Sequence, residues 1–171
     1  MMRAAAAIAV AGVLASVTAC STASDPVDSA MWLQVDAAET TIYDVLTSPM
    51  SVATPDELLD RLSAAVNHWD GREDPDYFAD DEGTPVFYNF REGARDEDVI
   101  VDVFVASGVG EHSSPSRVYS CYRIEVSFEA GALQDFHRSH DYGDERLACP
   151  SKLVDALGYG AQYREPSVFD G

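Results

Sequence analysis

Side chains able to act as ligands or catalysts cluster in two stretches of this 171-residue chain. In His137-Arg138-Ser139-His140-Asp141, with Asp144 beyond, two imidazoles stand three positions apart beside carboxylates. Those donors suit Zn²⁺ when they converge on one helical face. No helical period runs through the stretch, Gly143 interrupts it, and it is not the H-E-x-x-H arrangement. Surface histidines in a loop are the simpler reading. Between Asp70 and Glu82 lie seven carboxylates: Asp70, Glu73, Asp74, Asp76, Asp80, Asp81 and Glu82. Ca²⁺ takes six to eight oxygens, but the ordered D-x-[DN]-x-[DN]-G pattern is missing, so residues 70–82 read as a solvated acidic loop. A Ser-His-Asp hydrolase would need a serine marked by its context, and no G-x-S-x-G elbow occurs. Gly108-Val109-Gly110 falls between two strand-like runs and reads as a hairpin connection, not a phosphate cradle. No cofactor, metal site or catalytic set is assigned.

The N-terminus is more specific. Arg3 precedes an uninterrupted apolar run from Ala4 to Val17, shorter than the about 20 residues that span a bilayer. A basic start, a short apolar core and small residues at its end describe an export signal. The run closes on Val17-Thr18-Ala19-Cys20, which resembles the lipobox of bacterial lipoproteins. The resemblance implies that Cys20 is thioether-linked to a diacylglyceryl group and becomes the first residue of the mature chain. Two acyl chains anchor stably where one holds only marginally, so the expected location is the extracytoplasmic face of the cell membrane. An ordinary signal peptide cut after Ala19 is the alternative. The expected organisation is a signal peptide over 1–19, a lipidated cysteine and linker over 20–29, and one domain over 30–171. With Cys20 carrying lipid, Cys121 and Cys149 remain, and an even pair in an oxidising compartment is expected to form a disulfide. A catalytic thiol would instead need a base and an exposed thiolate.

Cleavage before Cys20 leaves 152 residues with 30 acidic and 10 basic side chains, a formal charge of −20; Lys152 is the sole lysine. Such a surface disfavours nucleic-acid backbones. It also disfavours lying flat on anionic lipid, so a tethered acidic domain is expected to stand off the membrane. A hydrophobic content of 46%, with two tryptophans, eight tyrosines and seven phenylalanines, indicates a folded core and not a disordered acidic tail.

Those residues must be positioned by a small set of elements. Met31, Val35, Ala38, Ile42 and Val45 recur at helical spacing between Ala30 and Leu46. Thr54-Pro55-Asp56-Glu57 supplies a cap, a proline at the first helical position and a glutamate three residues on. Leu58, Leu59, Leu62, Ala65, Val66 and Trp69 then form one apolar face. After the acidic loop the period becomes two, predicting strands over Val86–Arg91, Val99–Ala106 and Val118–Phe128 joined as an antiparallel meander. Val99, Val101, Val103 and Val105 share one face of the middle strand and Ile100 and Phe104 the other, the mark of a strand covered on both sides. In the third strand Tyr119, Cys121, Arg123 and Glu125 share a mixed polar face. Pairing Cys121 with Cys149 would drape the C-terminal arm across that face. A short helix over Ser151–Leu157 would cover Ile100 and Phe104, and the tail from Tyr159 would add an edge strand. The expected class is α+β: two N-terminal helices packed on a small antiparallel sheet of three or four strands, with a disulfide-pinned C-terminal arm. Helices preceding a curved sheet resemble cystatin-like and NTF2-like folds. The expected role is a binding or interaction domain on a lipoprotein; the alternative is a cell-envelope hydrolase or metal-dependent enzyme using the His137/His140 region.

Overall fold

Residues 26–48, 54–72, 75, 83–93, 95, 97–109, 116–139 and 147–165 are described by a computed structural model of the chain. The signal-like segment, Cys20, most of the acidic loop and residues 140–146 lie outside them. Helix α1 spans Pro26–Thr47 and buries Val27, Met31, Val35, Ala38, Ile42 and Leu46, steps of three and four that keep one stripe on the core. It starts four residues before Ala30, inside the stretch expected to be linker. Pro26 fits a first helical turn, Asp28 sits favourably at the positive end of the helix dipole, and Val27 extends the buried stripe by one step. Helix α2, Pro55–Ala65, begins as its sequence dictates: the Glu57 N–H donates to the Thr54 hydroxyl at 3.3 Å. Leu58 and Leu62 carry its buried face.

The helical reading of Val66 to Trp69 needs correction. Val66 is extended, and the chain then runs beside the first strand, with Phe87 N–H donating to the Asn67 carbonyl at 2.9 Å and Trp69 N–H to the Phe87 carbonyl at 2.8 Å. Trp69 thereby leaves the α2 face and is buried on the opposite side of the sheet. Pairing with a strand, together with that burial, outweighs the continuation of a periodic pattern.

The three expected strands form an antiparallel meander, β1 Val86–Glu92, β2 Asp98–Val109 and β3 Ser116–Glu129, and a fourth that was not expected, β4 Ala132–Ser139, extends it in the order β1-β2-β3-β4. A fifth, β5 Gln162–Tyr163, pairs parallel to β3 at Val118 and Tyr119, on the edge that β4 leaves uncovered beyond Arg123. Valines 99, 101, 103 and 105 meet α1 and α2 together with Tyr122, Ile124, Val126 and Phe128. On the other side Trp69, Val86, Phe104 and Cys121 pack against Leu153 and Leu157 of the C-terminal arm, whose short helix α3 spans Ser151–Ala156. Phe104 is covered as expected; Ile100 is buried but lies outside that cluster. The Cys121–Cys149 disulfide is formed, with Cα atoms 5.6 Å apart, and pins the arm to this face.

Two local features follow from the backbone. Ala106 lies where β2 runs past the start of β1, so its peptide groups have lost their strand partner on that side. The buried Gln34 of α1 replaces it: its Nε2 donates to the Ala106 carbonyl at 2.7 Å and its Oε1 accepts from the Ala106 N–H at 3.2 Å. A polar residue on a helix's buried side is thus explained by a hydrogen-bonding demand of the sheet. Gly93 closes the β1–β2 connection against Asp98, and a Cβ there would collide with the Asp98 Cβ.

Candidate functional site

The second face of the sheet divides into an apolar half under the arm and a polar half made of cross-strand rows. A β-bulge between Phe87 and Asn89 sets Asn89 opposite Asp102, and Asp102 is in turn opposite Arg123. Without that extra residue, a different β1 side chain would fill the row, because register decides which side chains meet. The Asp102 carboxylate, 2% exposed, accepts from Arg123 Nε at 2.7 Å, Arg123 Nη2 at 3.2 Å and Asn89 Nδ2 at 2.7 Å. Burial of a charge is costly unless it is paired and its lone pairs are used; here both conditions hold. Each group of the row satisfies its neighbour.

In the neighbouring row Arg91, Ile100, Glu125 and His137 follow one another across β1 to β4. His137 Nδ1 lies 3.1 Å from Asp135 and its Nε2 4.0 Å from Glu125, with the side chain 48% exposed. Its place on β4 alters the reading of the His137/His140 pair. A spacing of three converges on a helix but diverges on a strand, and β4 ends at Ser139 with His140 outside the described residues. Among the described residues no group of three or more His, Cys, Asp or Glu side chains is placed to hold a metal ion. Of the acidic loop, Asp70 is described and pairs with Arg72, its Oδ1 accepting the Arg72 N–H at 2.9 Å.

The aromatic border of this face is made by Phe104 and Tyr119, stacked at 6.0 Å, with Tyr163 of β5 edge-on to Tyr119 at 5.8 Å. No family model, no curated protein and no solved structure matches the chain. The site therefore rests on its own geometry: a charge-paired sheet face bordered by aromatics. Arg123 and Tyr119 were legible on the mixed face of β3. Asn89 and Asp102 were not, because the bulge that brings Asn89 into line leaves no mark in the pattern Val86-Phe-Tyr-Asn-Phe90.

At the far end of the face Arg95 Nε donates to Asp98 at 2.9 Å, and its Nη2 to Ser127 at 3.1 Å. The Arg95 hydrogen bond holds the Asp98 carboxyl below its ordinary range, against burial, which raises it. A depressed folded-state pKa contributes stability above the unfolded value of about 3.9 and loses it as pH falls through the folded value. Arg95 is largely exposed, so the effect is small and salt-sensitive. Wild type should therefore exceed Asp98→Asn in urea midpoint at about pH 6, and the gap should close at about pH 2. A gap that is unchanged or wider in acid would contradict the assignment.

Proposed function

We propose that the chain is a lipoprotein held on the extracytoplasmic face of a cell membrane through Cys20, and that its α+β domain binds a partner and does not catalyse a reaction. The observation that carries this reading is Val17-Thr18-Ala19-Cys20 at the end of a short apolar run behind Arg3. The Cys121–Cys149 disulfide supports it, since such bonds persist in oxidising compartments and are rare in the cytosol of mesophiles. No helix among the described residues is long and apolar enough to cross a membrane. The polar face supports binding over catalysis: Asp102, Arg123 and Asn89 satisfy one another, and His137 is flanked by carboxylates, which do not make a nucleophile–base pair. The hydrolase or metal-enzyme alternative would need His137 and His140 to converge on one group. We read the helices before the antiparallel sheet as cystatin-like or NTF2-like in architecture, a likeness that carries no activity with it.

Metabolic labelling with a fatty acid tests the anchor. Wild-type chain expressed with its N-terminus intact should take up label, and Cys20→Ala should take up none and keep its signal segment. Equal label in the two would remove the lipoprotein reading.

A further inference from the structure

Trp32 and Leu33 lie side by side in the second turn of α1, 40% and 61% exposed. They sit outside the buried stripe, where Met31 and Val35 already fasten this part of the helix to the core. Six residue steps separate Cys20 from Pro26, where α1 begins, a reach of at most about 20 Å when extended. Trp32 is six residues further on, about 9 Å along the helix axis. Building on the lipid attachment proposed for Cys20, we infer that the pole of the domain at which the chain enters docks on the bilayer, with Trp32 and Leu33 in the interfacial layer. An indole combines an apolar body with one N–H donor and settles at headgroup level; Leu33 adds a purely apolar contact.

Tyr159 belongs to the same pole. Its side chain is fully exposed, and Gly158 and Gly160 flank it at φ 84° and 95°. The segment that follows is fastened to the start of α1, where Arg164 Nη1 lies 3.0 Å from Asp28. Intrinsic affinity need not be high. Attachment within a few residues of the lipid gives an effective concentration in the mM range, so a contact too weak to recruit a free protein holds a lipid-anchored one. The acidic surface is repelled by anionic lipid, so the surface this pole fits is zwitterionic. Net charge keeps the bulk of the domain off the membrane while one apolar pole touches it.

The test uses full-length lipidated protein in phosphatidylcholine vesicles with brominated acyl chains, which quench nearby indoles. The chain has two tryptophans, and Trp69 is 5% exposed in the core. The Trp32 component of the emission should fall roughly twofold against non-brominated vesicles, as for an indole held at the interface. Trp32→Phe, which leaves Trp69 as the sole tryptophan, should lose little indole emission, and Leu33→Ser should weaken the quenching of Trp32. Protein that floats with the vesicles but emits equally in both kinds, or quenching that survives Trp32→Phe, would overturn the docking and leave the anchor standing. Protein that fails to float would overturn the anchor and the docking with it.

Discussion

Replacing Cys121 and Cys149 together by alanine should lower the free energy of unfolding by about 3.5 kcal/mol, the chain-entropy value for a loop of this size. The bond joins residues 28 apart in sequence and ties the arm to the middle of β3. Without it the arm keeps the burial of Leu153 and Leu157, the Arg117 Nη1 bond to the Leu157 carbonyl at 2.6 Å and the Lys152 bond to the Gly71 carbonyl at 3.0 Å. These are local attachments, so the arm should open before the sheet does, wetting Trp69 and Phe104 while the α1 side of the core stays closed. Urea titration followed in parallel by tryptophan emission and far-ultraviolet circular dichroism reads both effects. The oxidised protein should give coincident curves at the higher midpoint. The double variant should give an earlier fluorescence change. Identical midpoints in the two proteins would show that the bond adds nothing to stability.

The second large effect belongs to the Asp102 row. Arg123→Met keeps the length of the side chain and removes its charge, leaving a carboxylate that is 2% exposed with Asn89 as its remaining partner of the row. Breaking one half of a buried pair costs about 3–5 kcal/mol; Arg123 is 19% exposed, which places the expectation at about 3 kcal/mol, the lower end of that range. Adding Asp102→Leu should recover most of the loss, because a well-packed apolar pair commonly replaces a buried ion pair without penalty. Urea unfolding of the two single variants and the double variant closes the cycle. A cost for Arg123→Met below about 0.5 kcal/mol would place the pair with ordinary surface ion pairs.

Much of the architecture could be read from the chain because its determinants are local. The stripe from Met31 to Leu46, the Thr54-Pro55 start of α2 and the valine alternation in β2 each state their element within sixteen residues or fewer. The fourth strand was hidden for two physical reasons. Its connection to β3 is Ala130-Gly131, both at positive φ (51° and 77°), a geometry usually announced by Asn-Gly or Asp-Gly. Its alternating residues, Asp135 and His137 against Phe136 and Arg138, are largely polar, because the half-buried Arg138 takes a core-side position through an ion pair with Glu39 at 2.7 Å and lies 5.5 Å over the Tyr122 ring. Trp69 was misplaced because its partners, Phe104 and Leu153, are distant in sequence. The candidate site was half legible for a related reason. Alternation places Arg123 and Tyr119 on a face, whereas only the β1 bulge decides that Asn89 meets Asp102.

The contact between Asp28 and Arg164 joins positions 136 apart in sequence, so the two ends of the described domain meet. For protein engineering this gives the domain a handle and a tip. A tag or reporter added just after Arg164 would sit beside the entry of the chain. The Ala130-Gly131 turn lies at the other end of β3 from its β5 contact at Val118 and Tyr119, about 40 Å away at the usual rise per residue. A loop grafted there would be displayed outward, and a circular permutant that bridges the old ends and opens at that turn would carry the same domain hung from its opposite tip.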